Sequence, residues 1–157
     1  MALFGFQIIK FLQKFIKSKN IYITSFDVLP NKIRSYPAYF VVNLDKNNGL
    51  GTHWIGIHFS KNREAFYFCS FASVPCKKIL KFMYQNSRKI EFSSKVLQSS
   101  NSSVCGYYVC AFLIFCSKNK NINNLIDMFT KIFSYNFILN DYYIIKFCNN
   151  ISNKFSI

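Results

Sequence analysis

Hydrophobic residues recur with helical spacing near the start of the chain, and lysines and glutamines lie between them. Within residues 2–16, the apolar side of such a helix would carry Phe4, Ile8, Phe11, Leu12 and Phe15. The polar side would carry Gln7, Lys10, Gln13, Lys14 and Lys17. This pattern is typical of an amphipathic helix that packs one face on a core. We therefore predict a core-packing N-terminal helix over residues 1–18, with a membrane-surface or partner-binding helix as the alternative.

Period-two alternation and β-branched or aromatic residues predict strands in the middle of the chain. Strands are expected over Ala38–Asn43, His53–Phe59 and Glu64–Phe71. Residues 60–63, between the last two, have the length of a hairpin connection. Residues 21–37 contain two prolines that favour turns, so we predict irregular structure there.

Helical segments dominate the second half of the chain. A helix is predicted from Pro75 through Met83, a strand over Lys89–Leu97, and a helix from Cys105. Two C-terminal helices, near residues 122–133 and 141–151, occupy the segment 120–157. Strands flanked by helices in this order predict an α+β fold, with one small mixed sheet packed against helices. Because no repeat or linker interrupts the chain, residues 1–157 are predicted to form a single domain.

The chain is strongly basic, with a formal net charge of +14 over 157 residues. Only three of its 20 basic residues are arginines, the residue suited to bidentate contacts with phosphates and bases. Nonspecific binding of nucleic acid is therefore compatible with the charge. No sequence-specific DNA-binding motif accompanies it.

The cysteines and the apolar runs indicate the compartment. None of the six cysteines forms a CxxC pair, so reduced, buried thiols are expected rather than a disulfide framework. The longest apolar run, Tyr107–Cys116, has ten residues, and a membrane-spanning helix needs about 20. We therefore expect an intracellular, non-secreted protein without a transmembrane segment, and a monomer.

Cys105 stands where a polar run meets an apolar helix, with Gly106 directly after it. The thiolate is the nucleophilic form of cysteine, and a helix N-terminus favours it. Gly106 would allow a substrate backbone to approach closely. Gln98, seven residues upstream, could donate to a developing oxyanion together with nearby backbone N–H groups. This predicts nucleophilic chemistry at Cys105; the alternative is plain core packing, as expected for Cys110 and Cys116.

His53 is the candidate general base. It follows a Gly-Thr pair at the start of a predicted strand, a position that holds an imidazole rigidly and leaves one edge accessible. His58 lies five residues later and therefore on the opposite face of that strand. An ordinary half-buried histidine is the alternative for either residue. The Cys and His spacings match no usual zinc-ligand pattern, so no metal site is predicted.

Three segments, in this order, resemble the adenovirus-type cysteine proteases (adenains), which are related to the SUMO-deconjugating proteases. They are Gly51-Thr52-His53-Trp54, the strand Phe66–Phe71, and Gln98-x2-Asn101-Ser102-x2-Cys105-Gly106. Two upstream motifs, Asp27-x-Leu29-Pro30 and Tyr39-x-Val41-Val42-Asn43, add to a likeness that covers roughly residues 20–147. The likeness is to the adenain-like proteins of viruses and virus-like mobile elements.

The resemblance implies a cysteine-protease fold of the adenain type and a role for each matching residue. Cys105 would be the nucleophile, His53 the general base and Gln98 an oxyanion-hole donor. The residues expected to contact the substrate are Trp54, Gly106 and Asn101. Relatives cut peptide bonds near glycine-containing sequences, in viral precursor proteins or ubiquitin-like modifiers.

The resemblance also bears on cofactors and location. Adenovirus protease uses DNA and a short peptide as cofactors, and the positive charge here would suit DNA. No other cofactor is predicted. A virion, or the nucleus or cytoplasm of a host cell, is the location that the resemblance implies.

One position departs from the family pattern. Cys69 stands 16 residues after His53, where the family has an acidic residue or Asn. A thiol is a weak hydrogen-bond acceptor, so it would hold the imidazole less firmly. We expect weakened rather than abolished activity, because a cysteine nucleophile depends less on the third group than a serine does.

Three functions follow as hypotheses. The first is a cysteine endopeptidase that cleaves near glycine-containing sequences, in viral precursors during virion maturation. The second is a protease-fold protein of weak or no activity that binds a peptide, a capsid protein or a ubiquitin-like protein. The third is a basic nucleic-acid-binding protein in which the arrangement of cysteine and histidine is coincidental.

Overall fold

A computed structural model describes residues 2–49, 51–119 and 123–154 of the chain. This part contains a five-stranded sheet whose spatial order follows the chain order. The strands are β1 (Ile21–Ser25), β2 (Ala38–Asn43), β3 (Trp54–Phe59), β4 (Glu64–Phe68) and β5 (Lys89–Phe92). β2, β3 and β4 pair antiparallel, whereas β1 and β5 lie parallel to their neighbours at the two edges.

Helices cover both faces of the sheet, and alternate strand residues divide between two cores. The helices are α1 (Gly5–Phe15), α2 (Lys77–Asn86), α3 (Cys105–Lys118), α4 (Leu125–Thr130) and α5 (Phe137–Lys154). On β2, Tyr39 and Val41 join a core formed with α1, α3, α4 and α5. Phe40 and Val42 join the opposite core, to which α2 contributes.

The central helix of the first core is α3. It packs against β3 as well as α1 and α5, and nearly all of its residues are buried. Its uninterrupted apolar sequence matches that position, since a helix buried on all sides needs no polar stripe. The packing also fixes the place of Cys105, the first residue of α3, against the sheet.

The predicted α+β class, with a small mixed sheet packed against helices and Cys105 at a helix N-terminus, is confirmed. The prediction of irregular structure over residues 21–37 is wrong for β1. That strand is a short edge strand whose parallel pairing with β2 joins residues distant in sequence, so no turn or hairpin signal marks it.

Smaller differences concern the ends of elements. β5 stops at Phe92 rather than Leu97; the next residue, Ser93, still donates its backbone N–H to the Tyr67 carbonyl, and its side chain bonds the backbone of Cys69. α5 begins at Phe137, a turn earlier than predicted. The predicted start of the preceding helix at residue 122 lies outside the described residues.

Among the described residues, no helix combines the length and the apolar character needed to cross a bilayer. The six cysteines are free thiols, of which only Cys76 is exposed.

Candidate active site

A cavity of about 330 Å³ opens at the end of the sheet where β3 begins and β4 ends. Five separate stretches of the chain line it: the N-terminal residues, the end of β2, the loop before β3, the turn after β4 and the turn before α3. Its lining includes Leu3, His53, Trp54, Gln98 and Cys105. Folding thus brings the predicted nucleophile, base and amide donor to the wall of one cavity.

Cys105 is 7% exposed. The backbone N–H of Trp54 donates to its Sγ at 3.5 Å. The N–H groups of Cys105 itself and of Gly106 also stabilise the charged sulfur, but burial outweighs them and raises the pKa of the thiol. The N–H groups at the helix N-terminus thus favour the thiolate as expected, but the larger effect of burial sets the net direction of the pKa.

His53 lies against Cys69. The imidazole Nε2 is 3.2 Å from the Cys69 Sγ, and the ring packs on Phe71 with 5.0 Å between ring centres. Burial lowers the pKa of His53 to about 4, so the ring is neutral at neutral pH. Because Nε2 faces Cys69, Nδ1 is the nitrogen that remains for a proton from Cys105.

The side chain of one serine, Ser93, makes hydrogen bonds to both the N–H and the carbonyl of Cys69. The Cys69 N–H donates to the Ser93 Oγ at 2.9 Å, and the Ser93 hydroxyl donates to the Cys69 carbonyl at 3.2 Å. Cys69 is fully buried. The thiol therefore has a fixed position from which to contact His53, and nothing in the spacing of the sequence marked Ser93 for this role.

Gln98 is 1% exposed and sits in a small hydrogen-bond network. Its Oε1 accepts from the Ser70 hydroxyl at 2.7 Å. Its Nε2 donates to the carbonyl and hydroxyl oxygens of Ser102, at 2.9 and 3.1 Å. The amide carries two hydrogens, so turning one toward an oxyanion requires giving up one Ser102 contact.

No hydrogen bond joins His53 to Cys105 within the described part of the chain, although both line the cavity. A neutral imidazole and a neutral thiol are together what burial alone would favour. The arrangement therefore does not contain a preformed thiolate–imidazolium pair.

The loop before His53 has its shape imposed by a glycine. Gly51 has φ +82°, and a Cβ there would lie 2.8 Å from the Asn43 side-chain nitrogen. Its N–H donates to the Asp45 carboxylate at 3.1 Å. Only glycine combines an easily adopted positive φ with the absence of a Cβ that would clash with Asn43. This explains why a glycine begins the Gly-Thr-His-Trp segment.

Three residues were predicted to contact the substrate, and their positions differ. Trp54 lines the cavity. Gly106 does not offer space to a substrate, because a Cβ there would lie 3.1 Å from the Leu3 Cβ, so the chain's own N-terminal segment fills that space. Asn101 is exposed and lies outside the cavity lining.

His58 takes no part in the site. It is 3% exposed and stacks on Tyr39 and Phe66, at 4.8 and 5.9 Å between ring centres. Burial lowers its pKa to about 4. The predicted separation of the two histidines agrees with this arrangement, and among the described residues no group of three or more His, Cys, Asp or Glu residues could hold a metal ion.

The chain was compared with known proteins. No family model matches it, and no curated protein does. Among solved structures, the crystal structure of the selenomethionine ASFV pS273R protease is similar, with 20% sequence identity and a TM-score of 0.44. The match covers 56% of this chain and 38% of that protease, so the chain spans well under half of the neighbour's length.

Proposed function

We propose that this protein is a cysteine endopeptidase in which Cys105 is the nucleophile and His53 the general base. The observation that carries the proposal is the single cavity that gathers His53, Gln98 and Cys105 from distant segments. A nucleophile, a base and an amide donor on one concave wall are the groups that acyl transfer requires.

The first step is attack on a peptide carbonyl. His53 Nδ1 takes the thiol proton as the Cys105 sulfur bonds to the carbonyl carbon. The developing oxyanion accepts hydrogen bonds from the Cys105 backbone N–H and from the Gln98 amide once this turns from Ser102. Cys69 contacts the other imidazole nitrogen and keeps the ring in place.

The second half of the cycle returns the enzyme to its starting state. The His53 imidazolium gives its proton to the leaving amine as the C–N bond breaks, leaving a thioester on Cys105. His53 then takes a proton from water as the water oxygen bonds to the thioester carbon, and gives that proton to the Cys105 sulfur as the C–S bond breaks and the carboxylic acid product leaves. The cycle thus passes the Cys105 proton to the leaving amine and replaces it with a proton from water.

The protonation states of His53 and Cys105 before substrate binds are compatible with proton transfer during the attack on the peptide carbonyl. Burial keeps His53 neutral and Cys105 protonated. Proton transfer then accompanies attack, and a substrate that completes the desolvation of the cavity strengthens the His53–Cys69 contact. The neutral thiol at Cys69 stabilises the imidazolium less than a carboxylate would, which lowers the rate.

The substrate follows from the resemblance to adenain-like proteases. We propose peptide bonds near glycine-containing sequences, in viral precursor proteins processed during virion maturation. Supporting this, Trp54 provides a flat wall beside the nucleophile, against which an extended backbone with small side chains can lie.

The test is cleavage of peptides with glycine near the scissile bond by the purified chain and two variants. Cys105→Ala should abolish cleavage while leaving the melting temperature nearly unchanged. Cys110→Ala is the matched control, because Cys110 is buried on the same helix outside the cavity. Equal activity in Cys105→Ala and the wild type would refute the proposal.

A second candidate is a binding module with the same cleft and little or no turnover. It is favoured by the missing His53–Cys105 hydrogen bond and by the engagement of the Gln98 amide with Ser102. It predicts micromolar peptide affinity in both the wild type and Cys105→Ala, without cleavage by either. Turnover that depends on Cys105 would exclude it.

A further inference from the structure

The first described residues of the chain run along the cavity. Residues 2–5, here called the strap, line it together with His53 and Cys105. The strap ends where α1 begins, and the Phe4 N–H donates to the Gln7 side-chain oxygen at 2.8 Å. This bond anchors the strap to the first turn of α1.

The strap holds the indole of Trp54. The Trp54 Nε1–H donates to the Leu3 carbonyl oxygen at 3.1 Å. On the same ring, the Cη2 atom would lie 3.6 Å from a Cβ at Gly5, an ordinary packing distance. The ring is therefore held by one hydrogen bond and lies close beside Gly5 of the strap.

The strap also touches the start of α3. Leu3 is partly buried against the first core. Its Cβ would lie 3.1 Å from a Cβ at Gly106, and its Cδ1 3.6 Å. A larger residue at position 106 would have to push Leu3 away. The absence of a side chain at Gly106 therefore leaves the space that Leu3 of the strap occupies.

Trp54 links the strap to the nucleophile. Its side chain donates to Leu3, while its backbone N–H donates to the Cys105 Sγ at 3.5 Å. Displacing the strap would free the indole ring and open the cavity beside Cys105. The strap thus acts on the site through Trp54.

We propose that the strap is a permanent wall of the cleft and that Leu3 is a positioning residue, which fixes the Trp54 indole for peptide binding. The effect of the strap on turnover rests on the proposed peptidase function, whereas the contact between the strap and Trp54 does not. Losing one hydrogen bond and its packing should raise KM about five- to tenfold. The value of kcat should change much less, because His53, Cys69 and Gln98 keep their contacts.

Trp54 is the only tryptophan in the chain, so its fluorescence reports the strap directly. The first variant lacks residues 2–4, so that Met1 directly precedes Gly5. The second is Leu3→Ala, which keeps the backbone carbonyl but removes the packing on Gly106. Leu3→Met tests rescue, and Ile145→Ala is the control, because Ile145 packs on the same core away from the cavity.

We expect red-shifted emission and stronger acrylamide quenching in the shortened variant, a partial change in Leu3→Ala, and wild-type spectra in Leu3→Met and Ile145→Ala. Unchanged emission and quenching in a folded shortened variant would overturn the proposal. So would a higher kcat/KM in that variant, since it would make the strap a blocking segment. If the shortened chain does not fold, the emission and quenching of Leu3→Ala test the proposal instead. The fluorescence measurements test the hold of the strap on Trp54 even if the protein cleaves no peptide.

Discussion

The Nε2 atom of His53 lies 3.2 Å from the sulfur of Cys69, so the contact that orients the imidazole is made with a cysteine side chain and not with a carboxylate. A thiol can be a weak donor or a weak acceptor, and it carries no charge to balance an imidazolium. The contact therefore fixes the direction of the ring more than it stabilises the cation. This distinction leads to a direct test.

Replacing Cys69 with aspartate should raise the activity. A carboxylate beside Nε2 would stabilise the imidazolium, and we expect kcat to increase about tenfold or more. The acid limb of the pH–rate profile should move to higher pH, because the neighbouring charge raises the pKa of His53. The melting temperature should fall, since position 69 is fully buried.

Cys69→Asn separates charge from hydrogen bonding. The amide accepts a hydrogen bond more strongly than a thiol but adds no charge, so a smaller gain without a shift of the acid limb is expected. A Cys69→Asp variant that folds and turns over no faster than the wild type would show that position 69 is not the third member of the site.

Gln98 should contribute to turnover rather than to folding alone. Gln98→Ala removes the amide that the mechanism assigns to the oxyanion, and kcat should fall about 10²-fold. Ser70→Ala is the matched control, because it removes the partner of Oε1 and leaves Nε2 in place. It should cost about 1 kcal/mol in the free energy of unfolding with kcat nearly retained. Equal losses of kcat in the two variants would argue against an oxyanion role.

The stability of the fold should fall on mild acidification. Burial lowers the pKa of both histidines from 6.5 to about 4. Between these values the unfolded chain binds protons that the folded chain does not, so the free energy of unfolding is fully retained above pH 6.5 and declines as the pH falls toward 4. Each histidine contributes a slope of at most about 1.4 kcal/mol per pH unit.

His58→Phe isolates one of these contributions. The phenyl ring keeps the stacking with Tyr39 and Phe66 but cannot bind a proton. Urea unfolding between pH 6.5 and 5, where few carboxylates titrate, should show a flatter decline than in the wild type. An identical slope would mean that His58 is not kept neutral by the fold.

Alkylation should reveal a protonated Cys105. The experiment requires a Cys76→Ser background, because Cys76 is the exposed thiol and would react first. Burial raises the pKa of Cys105, so its rate of reaction with iodoacetamide should keep rising with pH through the alkaline range. A plateau reached below pH 7 would indicate a preformed thiolate instead.

Sequence patterns located the site better than they described its chemistry. The order of Gly51 to Trp54, the strand before Phe71 and the turn before Cys105 was enough to place His53, Gln98 and Cys105 together, because local elements present them. The helix N-terminus lowers the pKa of Cys105 as expected, but the larger opposing effect of burial was not predicted. Desolvation depends on what packs around Cys105, and that is decided by distant segments.

The strap and β1 show that contacts between distant segments of the fold could not be predicted from the sequence either. Leu3 lies 51 residues from Trp54 in the chain, and β1 pairs with a strand beyond two proline turns. Neither contact has a local signature. Periodicity predicts which face of an element is apolar, but not which other segment covers it.

The agreement between chain order and strand order has a consequence for biosynthesis. Each strand of the sheet can pair with its predecessor as it leaves the ribosome, and the His53–Cys69 contact is available once the β3–β4 hairpin has formed. Cys105 emerges later, on a helix that needs the finished sheet to pack against. Under the proposed function, a nascent chain therefore holds its base before its nucleophile, and it would become able to cut neighbouring polypeptides only when its fold is nearly complete.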